Sequence, residues 1–205
     1  MPISTQDPLS EADDNAGQNN LVVQAQAGDM TAFEKLYRQY YNRVCAYLVH
    51  IVRDDGVACE LTQETFLKAW QALPGLREAS TFAGWLYRIA TNLAYDHQRR
   101  VKSVTWIPYH ETGKIEEIAL VGPEELVETK ELLRTALACV PWKYRVCVIL
   151  YHIEGFSKQK IAAILKIKES SVGTYLSIGL EQFRQSYTRL ATGRTVFGER
   201  SGISE

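Results

Sequence analysis

Apolar residues recur every three to four positions along most of this 205-residue chain, a period that a helix buries on one face and a strand does not. Leu21, Val22 and Ala25 begin a short helix that Gly28 ends, and Asp29 is placed to cap a long one carrying Phe33, Leu36, Tyr37, Tyr40, Val44, Leu48 and Ile51. Asp54-Asp55-Gly56 breaks that stripe. A third helix runs to about Ala72 with Leu61, Phe66, Ala69 and Trp70, and Pro74-Gly75 stops it. After a loop from Leu76 to Ser80, either Ser80 or Thr81 can cap a fourth helix bearing Phe82, Trp85, Leu86, Ile89, Leu93 and Ala94. These four close a single bundle.

Between Val101 and about Glu125 the period fails, and Pro108, Gly113, Gly122 and Pro123 punctuate the segment. It returns through Leu126, Leu132, Leu133, Ala136, Leu137 and Val140, breaks at Pro141, resumes from Tyr144 to Leu150, and stops at Gly155 before two more helices. No Asn-Gly hairpin joins alternating segments, so the expected class is all-α. The expected organisation is a disordered acidic tail over 1–20, a four-helix bundle over 21–101, an extended acidic linker over 102–125, a second small helical domain over 126–190 and a flexible tail over 191–205.

Charge follows the same division. The formal net charge is −1, yet residues 126–190 hold ten basic against five acidic side chains while residues 1–20 hold four acidic and no basic ones. A basic folded block beside acidic flexible segments suits a partner that is a polyanion; ordinary solvated charge gives the same counts. Cys45, Cys59, Cys139 and Cys147 lack CxxC spacing and have no local histidine cluster, which reads as buried free thiols with no metal site and no cofactor. The amino terminus lacks the basic start and apolar core of a signal peptide, and no apolar run approaches about 18 residues; a cytoplasmic protein without membrane insertion is expected. Asp96-His97 is the one adjacent acid and base, with no nucleophile or glycine-rich loop in reach, so no catalytic residue is assigned and no enzyme is expected.

The last two helices carry the most specific local pattern. Ser157 caps Lys158 to Leu165, with Ile161, Ile164 and Leu165 inward and Ala162 where crossing helices need a small side chain. After a break at Lys166–Glu169, a helix that Ser170 can cap turns Val172, Leu176, Leu180 and Phe183 toward the first. This is the plan of a helix-turn-helix, whose second helix enters the major groove of DNA; any αα-corner with a short turn requires the same spacing.

The run EGFSKQKIAAILKIKESSVGTYLSIGLEQFR, Glu154 to Arg184, resembles the second promoter-reading domain, region 4, of an extracytoplasmic-function sigma factor of bacterial RNA polymerase. AQAGDMTAFEKLYRQYYNRV (25–44), ELTQETFLKAW (60–70) and FAGWLYRIATNLAYDHQRR (82–100) resemble the family's first domain, region 2, in order and spacing. The resemblance implies a protein that binds core RNA polymerase through its β′ and β subunits, recognises promoter DNA and promotes strand opening. An accessory module that needs a partner for promoter targeting is the alternative.

By that resemblance the third helix docks on the β′ coiled coil through Glu60, Leu61, Gln63, Glu64, Phe66 and Lys68, with Glu60 where most relatives carry Asp. Its physical alternative is a solvated face on which Glu64 and Lys68 form an i,i+4 pair contributing about 0.3 to 0.5 kcal/mol. The fourth helix is implied to read the minus-ten element through Arg88, Asn92, Tyr95, Asp96, Arg99, Arg100 and Lys102, a polar stripe interleaved with tyrosine that suits phosphate and base-edge contact. Arg77 and Ser80 sit in a loop implied to hold a base flipped from the melted non-template strand. Trp85, among apolar neighbours, reads as a core residue. The linker is implied to thread the polymerase's channels, and a plain solvated tether has the same composition. Relatives are often silenced by an anti-sigma protein, which makes one a candidate partner.

For the minus-thirty-five element the implied contacts are Lys158, Lys160, Lys168, Ser170, Ser171, Thr174, Tyr175 and Ser177. The chain departs from its relatives here, because Ser170 to Glu181 contains no basic residue and the lysines lie on the preceding helix and turn. Lys166 replaces a glycine common at the turn, where a left-handed backbone costs a non-glycine residue about 1 kcal/mol. Gly173 and Gly179 each weaken the helix by a similar amount, about 1 kcal/mol. Weak or relaxed binding at that element is the expectation.

Overall fold

The computed structural model describes residues 8–104 and 124–198. All its regular elements are helical: α1 (Pro8–Gln26), α2 (Met30–Val52), α3 (Asp55–Ala72), α4 (Phe82–Val104), α5 (Glu124–Ala138), α6 (Trp142–His152), α7 (Lys158–Leu165) and α8 (Glu169–Gly198), with short 3-10 turns at Leu73–Gly75 and Ala79–Thr81. The chain forms two compact units, Met1–His97 and Gln98–Glu205, dividing within α4 between His97 and Gln98.

Helix boundaries follow local chemistry. The Asp29 carboxylate accepts from the Thr31 and Ala32 amides at 2.8 and 3.2 Å, and Asp54 accepts from the Val57 amide at 2.9 Å, so each side chain satisfies first-turn N–H groups that have no partner within the helix. Gly28, at φ +94, and Gly155, at φ +74, take the left-handed conformation where α1 ends and where α6 gives way to α7.

In the first unit α2 packs along both α1 and α3. Leu36, Val44, Leu48 and Ile51 of α2 and Ala58, Phe66 and Ala69 of α3 are buried in it. The α4 helix joins through two aromatic pairs, Tyr40 against Phe82 at 5.5 Å and Tyr47 against Tyr87 at 5.0 Å between ring centres. A buried hydrogen bond of 2.6 Å links the Tyr47 and Thr91 hydroxyls, and the Thr91 hydroxyl also lies 2.6 Å from the Tyr87 carbonyl.

That hydroxyl pair explains a correction to α4. Trp85 and Ile89, expected in the core, are half-exposed, whereas Tyr87, Ala90 and Thr91 are buried. An apolar count places Trp85 and Ile89 inward, but two hydroxyls that satisfy one another can be buried without penalty, and they draw the adjacent face toward α2.

The expected tail over 1–20 is corrected from residue 8 onward, which is helical. Val22 and Ala25 anchor α1 and Gln18 hydrogen-bonds the Tyr40 phenol. Once one turn is docked, each added residue brings a backbone hydrogen bond at little further cost, and Pro8 occupies the first position, where a missing N–H is harmless. Residues 1–7 lie outside the described residues. Helix α4 extends to Val104 and α5 starts at Glu124, so both ends of the expected linker 102–125 are helical, and 105–123 lie outside the described residues. Helix α8 likewise passes residue 190 to Gly198, and 199–205 lie outside.

In the second unit α8 packs on α5, α6 and α7. Buried Arg145 donates to the Ala138 carbonyl at 3.0 Å, a cation on the last residue of α5 where carbonyls lack helical partners. A Cβ added at Gly179 would lie 2.6 Å from Val148 Cγ2 and 3.2 Å from the Tyr144 carbonyl oxygen. Gly179 is thus what lets α8 approach α6, a role that helix propensity does not register. The cysteine expectation is also corrected: Cys147 is buried, Cys45 half-buried, and Cys59 and Cys139 are exposed.

Candidate nucleic-acid interface

On α3, the residues read as a docking face separate into two groups. Glu60, Gln63 and Lys68 are exposed and Glu64 half-buried, while Leu61 and Phe66 lie in the core, the Phe66 ring tilted against that of Tyr37 with 4.7 Å between ring centres. Leu61 and Phe66 hold the helix from inside and present nothing to a partner. Lys68 Nζ and Glu64 Oε1 form an i,i+4 pair at 2.9 Å. Sequence reasoning missed Leu67, which is 57% exposed beside that pair; an apolar residue outside the buried stripe of its helix is the signal that marks it.

The polar stripe of α4 is on the surface. Asn92, Tyr95, Arg99 and Arg100 are exposed and Arg88 and Asp96 half-buried; the side chain of Lys102 lies outside the described residues. Because the buried face of α4 is turned, Trp85 and Ile89 join this stripe. Together with Asn92, Leu93 and Asp96 of α4 and Lys68, Gln71 and Ala72 of α3 they line a shallow groove of about 430 Å³. The implied polymerase face and the implied minus-ten face therefore meet in one groove, with Lys68 belonging to both. An indole and an aliphatic side chain beside amide and carboxylate groups offer a stacking surface with polar edges, which a base taken out of a duplex requires.

Arg77 and Ser80, both exposed, lie in the connection between α3 and α4. Thr81 does not cap α4; its hydroxyl donates to the Glu78 carbonyl at 2.7 Å, tightening the second 3-10 turn. From α1, Gln26 Nε2 donates to the Leu73 and Leu76 carbonyls at 3.2 and 2.6 Å.

In the second unit Ser157 caps α7 by accepting from the Lys160 amide at 3.3 Å. Lys166 takes the left-handed conformation at φ 53, as its replacement of a glycine anticipates. Helix α8 starts at Glu169, one residue before the expected cap Ser170, because the Ser171 amide already bonds the Lys168 carbonyl at 2.9 Å; Glu169 then places a carboxylate in the first turn. Lys158, Lys160, Lys168, Ser170, Thr174 and Ser177 are exposed, and Ser171 and Tyr175 half-buried. The Ser177 hydroxyl donates to the Gly173 carbonyl at 3.1 Å. Tyr175 packs edge-on against Tyr144 of α6 at 5.3 Å, and Lys143 Nζ stands 4.7 and 5.8 Å from the two ring centres. Lys143, which sequence reasoning missed, brings a cation beside the first turns of α8, whose stretch from Ser170 to Glu181 has none; the run Trp142-Lys143-Tyr144-Arg145, basic residues interleaved with aromatic ones, is its signal.

Among the described residues no group of three or more His, Cys, Asp or Glu side chains could hold a metal ion, and no helix is long and apolar enough to cross a membrane.

Residues 36–104 match the model of Sigma-70 region 2, and residues 130–182 match that of Sigma-70, region 4. The ECF RNA polymerase sigma-E factor of Salmonella typhimurium is 31% identical over 169 residues, covering 77% of this chain and 85% of that protein. ECF RNA polymerase sigma factor SigM of Bacillus subtilis is 26% identical over 156 residues, covering 76% and 95%. ECF RNA polymerase sigma factor SigE of Mycolicibacterium smegmatis is 31% identical over 158 residues; the match covers 76% of this chain and 61% of the length of that relative. Among solved structures, CnrH in complex with the cytosolic domain of CnrY matches over 86% of this chain and 97% of its own, with TM-score 0.61 and 21% identity. The sigma factor RpoE in complex with the anti-sigma factor NepR from Bartonella quintana matches over 76% and 96%, with TM-score 0.62 and 19% identity. These two likenesses bear on the fold.

Proposed function

The chain belongs to the extracytoplasmic-function sigma factors of bacterial RNA polymerase, and from that premise we propose how its residues divide the work of promoter recognition. Glu60, Gln63, Glu64, Leu67 and Lys68 form the polymerase-docking face, with Leu61 and Phe66 supporting it from the core. The stripe Arg88, Asn92, Tyr95, Asp96, Arg99, Arg100 and Lys102, extended by Trp85 and Ile89, meets the minus-ten element, and the connection with Arg77 and Ser80 holds an extruded non-template base. The single observation that carries this reading is the groove lined from both α3 and α4. Opening a duplex costs a few kcal/mol per unstacked step, and a stacking surface beside the docking face offsets that cost only once polymerase is bound.

The protein acts in the cytoplasm and performs no chemistry; the polymerase supplies it. An anti-sigma protein that covers the reading surfaces holds the factor silent. The minus-thirty-five element is bound by Ser170, Ser171, Thr174, Tyr175 and Ser177 with Lys158, Lys160 and Lys168 on the flanking phosphates, weakly and with relaxed preference because the helix itself carries little charge.

Transcription from a closed promoter duplex, compared with one containing a pre-opened minus-ten bubble, tests the groove. Trp85→Ala and Asn92→Ala should depress initiation on the duplex by tenfold or more, about 1.4 kcal/mol, and act far less on the bubble. Equal loss on both templates would overturn the melting role. Because α8 is poor in basic residues, a second reading is an accessory module, which would bind core polymerase in a pull-down yet initiate nowhere without a further protein.

A further inference from the structure

We propose that Gln26, at the end of α1, is a positioning residue for the base-holding connection between α3 and α4, and so sets base preference at one place in the minus-ten element without touching DNA. The proposal rests on the reading of that connection as the base pocket.

Residues 73–81 have little of their own to hold them. Leu73 and Phe82 are buried anchors at the two ends, while Arg77, Glu78, Ser80 and Thr81 are exposed and each 3-10 turn has three residues. Such a turn closes few backbone bonds. The Leu76 amide donates to the Leu73 carbonyl at 3.0 Å and the Thr81 amide to the Glu78 carbonyl at 3.0 Å, which shapes each turn but does not fix one against the other.

The half-buried Gln26 carboxamide instead ties the first turn and its exit to α1. Its two N–H groups meet two carbonyls of the first turn and its exit, with Leu76 O at 2.6 Å and Leu73 O at 3.2 Å, and α1 also lies against both 3-10 turns. Gln26 itself is fixed in place, because the Asp29 amide donates to the Gln24 carbonyl at 3.2 Å and Gly28 reverses the chain at φ +94. Leu76 immediately precedes Arg77, so the carbonyl held at 2.6 Å sets the direction in which the exposed residues leave. Two donors are required: a carboxylate of the same shape would face two carbonyl dipoles and push the connection away.

The test uses the full chain with core polymerase and a template set carrying each of the four bases at every minus-ten position. Gln26→Met keeps length and removes both donors; Gln26→Glu keeps shape and replaces the donors by charge; Gln26→Arg keeps donors. The Met and Glu variants should lower the ratio of best to second-best base at one position about five- to tenfold, with other positions, the minus-thirty-five element and core affinity unchanged, and Gln26→Arg should restore the ratio. A uniform fall across all bases, or no change, overturns the proposal. If Gln26→Met does not fold, the Glu and Arg pair decides in the same way. Ser80→Ala and Arg77→Ala run alongside: if neither shifts preference at any position, the base-pocket reading fails, whereas if they do and the Gln26 variants do not, the role of Gln26 alone fails.

Discussion

Two glycines on one helix make opposite demands. An added methyl at Gly173 meets nothing within 4 Å, whereas at Gly179 it would overlap the Val148 side chain. Gly173→Ala should therefore stabilise the second unit by about 1 kcal/mol through helix propensity, and Gly179→Ala should destabilise it by about 1 to 3 kcal/mol through overpacking; hydrogen exchange of the α8 amides measures both. Neither helix propensity nor spacing separates the two positions, since the difference arises where α6 crosses α8. The thiols divide in a similar way. Burial pushes the Cys147 thiol up to about 12, and burial followed by a hydrogen bond with Cys59 raises that of Cys45. A thiolate-selective reagent at pH 8 should label exposed Cys59 and Cys139 first, Cys45 slowly and Cys147 only on unfolding, as peptide mapping would read. Fast native labelling of Cys147 would contradict its burial.

At the scale of the element, α3 and α4 show what periodicity does and does not reveal. The presence of both helices, the Asp29 cap, the break at Asp54 and the surface stripe from Arg88 to Arg100 were legible, because caps, breaks and a 3.6-residue period are local chemistry; that Asp54 also caps α3 is seen only in the structure. The rotation of α4 was not, since it depends on Tyr47 meeting Thr91 forty-four residues away. The same limit applied to Leu61 and Phe66, which share a motif with exposed neighbours and yet face inward. It follows that Leu67→Asp should leave stability within about 0.5 kcal/mol of the parent, as for other surface changes, while lowering affinity for core polymerase tenfold or more, as loss of an apolar interface anchor does. Denaturation and core-binding titration together check this. Lys68→Ala breaks an exposed pair contributing about 0.3 to 0.5 kcal/mol, so any large effect on initiation would belong to the groove and not to folding.

For the whole molecule, the charge distribution determines how binding responds to salt. The net charge of −1 conceals ten basic against five acidic residues over 126–190, of which eight basic ones precede α8 and two, Arg184 and Arg189, lie on it beyond its first turns. Binding to a minus-thirty-five duplex should thus show a shallow salt dependence. Lys143→Ala should reduce the slope of log affinity against log salt by about one, the signature of one phosphate contact removed; an unchanged slope would remove Lys143 from the interface. A steep slope with tight, sequence-specific binding in the parent protein would contradict weak recognition by α8.

The buried hydroxyls of Tyr47 and Thr91 bear on how such a factor can change its target over evolutionary time. If α4 slid by one turn or rotated by one residue, the bond between the two hydroxyls would be lost, at about 0.5 to 1.5 kcal/mol, while Thr91 would keep only its bond to the Tyr87 carbonyl of its own helix. The orientation of α4 is therefore a discrete choice made inside the protein. Side chains on its outer face can be replaced freely without disturbing that choice, so a new promoter preference requires changes on one surface and no compensating change in the core.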